Sequence, residues 1–219
     1  MLGVVFTGGE NPPPQIIRRE LEGKEPFVVA ADSGLIAAEN AGVKPDRIVG
    51  DMDSLDDVSR LEAYPAGSVI RYKADKDYTD TELALSLVIE KGCDTIWIIG
   101  GGGGRIDHLF GIRSLFEREI FPCRWITHAE DICCLEAADT LSLSTEPGTL
   151  VSVFPMGGGP WDAKSSGLKW PLEGLAWDRG FFGLSNVAAA GDFSITAHAG
   201  RFLVILPLPA ANKEKVCLR

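Results

Sequence analysis

Five stretches of this chain concentrate residues able to do chemistry, and each begins where a short apolar run stops. They are Thr7-Gly8-Gly9, Asp32-Ser33-Gly34, Gly50-Asp51-Met52-Asp53-Ser54, Asp75-Lys76-Asp77-Tyr78-Thr79-Asp80, and Gly100 to Gly104 running into Arg105-Ile106-Asp107-His108. One acidic turn alone reads as a helix cap, because Asp and Ser bond nearby backbone there. Carboxylates from several turns gathered on one rim repel one another, and a bound cation compensates them. Asp51 and Asp53 stand two apart, so an extended turn aims both the same way; Asp77 and Asp80, three apart at a helix mouth, share a face. Hard oxygen ligands without histidine or cysteine suit Mg²⁺, completed by water and phosphate oxygens, and no EF-hand spacing favours Ca²⁺. The glycine run lets backbone N–H groups approach phosphate ahead of a helix starting near Asp107, with Arg105 as a phosphate partner. Such a run serves a mobile loop equally well. His108 by itself reads as a packed structural residue.

These turns need a scaffold that brings them to one edge. From residue 1 to about 128, apolar runs at 2–6, 27–31, 47–49, 68–72, 95–99 and 124–127 alternate with helical patterns, which predicts a parallel sheet. In such a sheet ligands sit beyond the carboxyl ends of the strands, where the five stretches fall. Between them, 79–91 has the helical period, with Leu83, Ala84, Leu87 and Val88 on one stripe and a Thr79/Glu82 capping box at its start. After about residue 130 the texture changes. Short runs at 139–144, 149–154, 192–197 and 201–206, punctuated by Pro147-Gly148, Gly157 to Pro160, Gly191-Asp192 and Ala199-Gly200, predict an antiparallel sandwich. The expected fold is an α/β domain with a Rossmann-like parallel sheet over 1–128, then an all-β domain over 129–219. Trp97 and Trp125 fall within predicted strands and read as core.

Composition narrows the function classes. Across 219 residues, 45% are hydrophobic and 24% charged, ordinary for a globular protein. A net charge of −10 repels phosphate backbones and anionic lipid, so neither nucleic acid nor membrane is an expected partner. A metal-bridged nucleoside triphosphate remains compatible with that charge. The start of the chain lacks a basic segment and a long apolar run, no stretch would span a bilayer, and five cysteines form no Cys-x-x-Cys pair, so a reduced cytoplasmic setting is expected. There is no Walker A loop, no Gly-x-Gly-x-x-Gly, no Gly-x-Ser-x-Gly elbow and no zinc spacing, which disfavours dehydrogenase, hydrolase and zinc chemistry.

In order, Ala31-Asp32-Ser33-Gly34, Gly50-Asp51-Met52-Asp53-Ser54, Asp77-Tyr78-Thr79-Asp80-Thr81-Glu82 and Gly103-Gly104-Arg105-Ile106-Asp107-His108 resemble the catalytic domain of thiamin pyrophosphokinases. Gly167-Leu168-Lys169-Trp170-Pro171-Leu172 and Leu184-Ser185-Asn186 resemble the thiamin-binding sandwich of bacterial members. Ser33 stands where the family often has glycine, and Met52 where phenylalanine is usual. The resemblance implies pyrophosphoryl transfer from ATP to thiamin. It implies Mg²⁺ on Asp51, Asp53 and Asp80, catalysis by these with Asp77 and Arg105, and ATP held by Asp32, Gly34, Thr79, Gly103, Gly104, Arg105, Asp107 and His108. It also implies thiamin on Trp170, Ser185 and Asn186 at the junction of a homodimer; without the resemblance, Trp170 reads as sandwich core. Two alternatives stand beside it: a pyrophosphokinase for another alcohol such as a hydroxymethylpterin, and a nucleotide- or thiamin-binding sensor without turnover.

Overall fold

The computed structural model describes residues 1–208 except 56, 74, 76 and 179, together with the backbone of 216–218. Within it the chain divides into two compact units, Met1–His128 and Ala129–Arg219.

The first unit is a parallel sheet in the order β6-β5-β1-β2-β3-β4. Its strands are β1 (Leu2–Thr7), β2 (Phe27–Ala31), β3 (Arg47–Gly50), β4 (Val69–Arg71), β5 (Thr95–Gly100) and β6 (Arg124–Ile126). The helices are α1 (Pro14–Leu21), α2 (Gly34–Asn40), α3 (Asp80–Glu90) and α4 (Ile106–Leu115). Val4, Phe6, Val28, Ala30 and Ile48 point to the face that packs on Ile17 of α1 and on Leu35 and Ala38 of α2. Alternation sends Val5, Val29 and Val49 to the other face, and α3 packs on β1, β2 and β3. Both faces are therefore buried, which is why these strands read as continuous apolar runs. Gly34 permits α2 to begin against the end of β1, since a Cβ there would lie 2.7 Å from the Thr7 nitrogen. Proline supplies the start of α1, where a missing N–H costs nothing.

The second unit is all β, as expected. One antiparallel sheet runs β11-β9-β13-β7, built from β7 (Glu130–Leu135), β9 (Leu150–Met156), β11 (Gly183–Val187) and β13 (Arg201–Pro207). The other runs β10-β12-β8-β14, from β8 (Thr140–Ser144), β10 (Asp162–Ser166), β12 (Asp192–Ala199) and β14 (Val216–Leu218). Leu135, Val151, Val153, Phe202 and Val204 of the first sheet and Leu141, Leu143, Phe193 and Ile195 of the second form one core. No helix among the described residues is long and apolar enough to cross a membrane.

Candidate active site

Two strand ends and one helix start of the first unit meet in a carboxylate group. Asp32 follows β2, Asp51 follows β3 and Asp80 opens α3; one oxygen from each lies within 4.8 Å of the others. Asp32 is held there by its N–H, which donates to the Val49 carbonyl at 2.8 Å, and by a left-handed backbone with φ +50°. Its Oδ1 is buried and has no hydrogen-bond partner. Burial pushes the Asp32 carboxyl up, and the charges of Asp80, Asp51 and Asp53 push it further, against a hydrogen bond from the Ser54 side chain. Gly50 opens the space between: a Cβ at this position, where φ is +144°, would stand 3.2 Å from both the Asp32 Cβ and Asp80 Oδ1.

Asp53 and Asp77 lie outside that group. Met52 adopts φ +67° and sinks into the core, so the turn is not extended and the two-residue spacing does not aim Asp51 and Asp53 together. Asp53 is exposed; its N–H caps Asp51 Oδ1 at 3.1 Å and its carboxylate accepts from the Ser54 hydroxyl. Asp77 is exposed in the turn before α3. Thr79 caps that helix in a complete capping box with Glu82, as its sequence predicts. Burial acts to raise the Glu82 carboxyl, but bonds from Thr79 and the Arg118 guanidinium hold it below the usual range. Thr81 Oγ1 bonds Thr7 Oγ1 at 2.6 Å, joining the first turn of α3 to the end of β1.

The glycine run is mostly a packing device. The Gly101 N–H donates to Gly8 O at 2.8 Å, Gly102 and Glu10 exchange backbone bonds, and Trp125 Nε1 donates to Gly100 O at 2.7 Å. A Cβ on Gly102 would meet His128 Nδ1 at 2.5 Å, and one on Gly103 would strike the Glu10 side chain, whereas Gly104 faces open space. The amides of Gly101 and Gly102 are therefore spent internally, which leaves the phosphate-cradle reading to Gly103 and Gly104. Arg105 grips Asp107 through two nitrogens, at 2.5 and 3.2 Å, and that bond holds the Asp107 carboxyl below its usual range. His108 is exposed on α4, so its reading as a packed residue gives way.

In the second unit, Trp170 is 53% exposed, so it is not the core residue that its type alone suggests; Lys169 Nζ lies 4.5 Å from its ring centre. Buried Asn186 donates to Trp170 O at 2.6 Å and accepts from the N–H groups of Trp170 and Val187 at 3.2 and 2.8 Å. Its side chain braces the loop rather than facing solvent. Leu172 N–H donates to Ser165 Oγ at 3.0 Å on the other side of the turn, so the indole stands on a fixed backbone. Ser185 is exposed with φ +58°.

Residues 19–122 match the family model "Thiamin pyrophosphokinase, catalytic domain". The thiamine pyrophosphokinase of Bacillus subtilis (strain 168) is 29% identical over 149 residues, 66% of this chain and 70% of that protein. Over those stretches the chain is similar to thiamin pyrophosphokinases. Its fold is shared by solved structures of that name. The Bacillus subtilis enzyme covers 94% of this chain and 98% of its own at a TM-score of 0.76 and 24% identity. The Candida albicans enzyme covers 94% and 88% at 0.70 and 15%. Within this fold the aspartate blocks supply the triplet, but sequence reasoning missed the roles of two residues, one inside those blocks and one outside them. Gly50 reads in sequence only as the end of a strand, and its role as the gap between two carboxylates needs the chain crossing. Arg118 sits in no motif, and its tie to Glu82 joins residues 36 apart.

Proposed function

We propose that this chain transfers a pyrophosphoryl group from ATP to the hydroxyl of thiamin, giving thiamin diphosphate and AMP, with Mg²⁺ as the metal. The observation that carries this reading is the convergence of Asp32, Asp51 and Asp80 around a buried, unpartnered Asp32 oxygen. The donor set fits that ion: hard oxygens only, no nitrogen or sulfur, and a charge crowding that a divalent cation relieves. When bound, Mg²⁺ supplies neutralisation of the triphosphate charge.

The protein's own residues do the positioning. Asp32, Asp51 and Asp80 would hold the metal, with Asp53 and Asp77 in the flanking turns. Thr79, Gly34, Gly103, Gly104 and His108 take up the nucleotide. Arg105, pre-set by Asp107, offers a planar fork to phosphate oxygens. The thiamin oxygen bonds the β-phosphorus as the bond from that phosphorus to the α-phosphate oxygen breaks, and the hydroxyl proton passes to a carboxylate of the rim. Thiamin is a flat cation, and the braced Trp170 offers it an aromatic face, with Ser185 beside it. We further propose a homodimer with thiamin at the subunit junction, working in the cytoplasm, a setting that suits the cysteine usage.

The test is incubation of pure protein with ATP, Mg²⁺ and thiamin, with AMP and thiamin diphosphate measured together. Equal amounts of both, dependent on thiamin, are expected. AMP formed without thiamin points to another acceptor, and bound ATP without AMP points to a sensor.

A further inference from the structure

Asp80 belongs to the carboxylate triplet but sits on a helix rather than a strand, so its place depends on how the first turn of α3 is tied down. Among the described residues, two ties reach this turn from outside the triplet. Thr81 bonds Thr7 at 2.6 Å, which fixes the turn to β1. The second runs through Glu82. Its Oε2 accepts both the Thr79 N–H and the Thr79 hydroxyl at 2.9 Å, while the Glu82 N–H donates back to Thr79 Oγ1 at 3.2 Å. Its other oxygen, Oε1, is gripped by the guanidinium of Arg118, three residues beyond the end of α4.

We propose that Arg118 is a positioning residue for the metal site: by fixing Glu82, and through it Thr79, it sets where Asp80 stands relative to Asp32 and Asp51. A capping box needs only its own two residues to cap a helix. Here the capping carboxylate is also held from a second element, so the box cannot rotate about the helix axis without breaking an ion pair. Asp80 is flanked by Thr79 on one side and Thr81 on the other, and both neighbours are tethered. Arg118 reaches the site through Glu82, and its effect is expected on divalent-cation affinity rather than on the chemical step. This inference rests on the metal-site reading above.

The experiment is Mn²⁺ binding to the full chain without nucleotide, followed by electron paramagnetic resonance, with thermal unfolding of each variant in parallel. Arg118→Met is expected to weaken Mn²⁺ binding about two- to fivefold, the range a partly exposed ion pair carries. Arg118→Lys is expected to recover much of the loss, because it keeps the charge but not the fork. Arg113→Met is the control: it removes the Arg113–Glu117 pair at the end of α4, whose arginine is as exposed as Arg118 at 44% against 42%, and should leave Mn²⁺ affinity unchanged. If Arg118→Met binds Mn²⁺ like wild type while losing thermal stability, the residue is merely structural and the proposal is overturned. If Asp80→Asn also binds like wild type, the metal site itself is misplaced and the proposal falls with it.

Discussion

Replacing Gly50 by alanine tests the site's geometry without touching a charge. The new methyl would stand 3.2 Å from Asp32 Cβ and 3.2 Å from Asp80 Oδ1, so one of them must retreat by a few tenths of an ångström. The residue must also hold φ +144°, at a cost of about 1–3 kcal/mol for an L side chain. For a chain of this size that lowers the unfolding temperature by about 2–12 °C. Gly42→Ala separates the two effects, because Gly42 has φ +72° but open space around it. Both variants should lose stability. Only Gly50→Ala should lose turnover, by about tenfold, because small misplacement at a reacting centre is costly. The assay is AMP release against Mg²⁺ concentration at saturating thiamin, beside calorimetric unfolding. Gly50→Ala with wild-type turnover and Mg²⁺ dependence, but the instability of Gly42→Ala, refutes the view that this glycine spaces the carboxylates.

Asp32→Asn, Asp51→Asn and Asp80→Asn should each cut turnover by at least ~10² with circular dichroism unchanged, and Asp53→Asn, outside the triplet, by clearly less. Trp170→Ala should weaken thiamin binding by about 2- to 30-fold in calorimetry and barely move the unfolding temperature, since the bracing bonds from Asn186 go to the Trp170 backbone. Asn186→Ala, in contrast, should cost about 1–3 kcal/mol of stability in urea unfolding, because it removes three part-buried hydrogen bonds to the Trp170 and Val187 backbone. The Asp32 carboxyl is raised above its ordinary 3.8, so its favourable contribution is complete below that pH and is lost as pH climbs through the raised value. Added Mg²⁺ should therefore raise the unfolding temperature more at pH 7 than at pH 4; an equal rise at both would contradict the crowding.

The strands of the first unit were legible because burial on both faces makes parallel strands continuous apolar runs, as in Leu2 to Phe6 and Phe27 to Ala31. The capping box at Thr79 was legible because it is local. The second unit showed four of its strands, but β7, β14, β10 and β11 were not among them; in the last two, Asp162-Ala163-Lys164-Ser165-Ser166 and Gly183 to Val187 carry few β-branched residues, and β11 has a shift in register after Gly183. In the site, residue types were readable and their aim was not. Which of Asp32 and Asp53 joins Asp51 depends on the backbone sign at Met52, and no spacing argument reports that. Asn186 looked like a ligand contact because amides suit a pyrimidine, yet burial turned it inward to the Trp170 backbone.

The same placements bear on how the site stays folded with its charges facing one another. Asp32 and Met52 both occupy left-handed backbone, each costing about 1–3 kcal/mol, and a third constraint at Gly50 is met only because the side chain is missing. These positions end β2 and β3, whose neighbouring residues Ala30, Ala31, Ile48 and Val49 are all buried. Strain at the rim is thus carried by strands that packing fixes from both faces, and it cannot relax by rotating the carboxylates apart. A cation binding there meets oxygens already turned toward one another, so little of its binding energy goes to ordering the ligands. The compensation runs the other way as well: at saturating metal the fold gains stability as RT ln(1 + [L]/Kd), so the rigidity that builds the site is also what the metal reinforces.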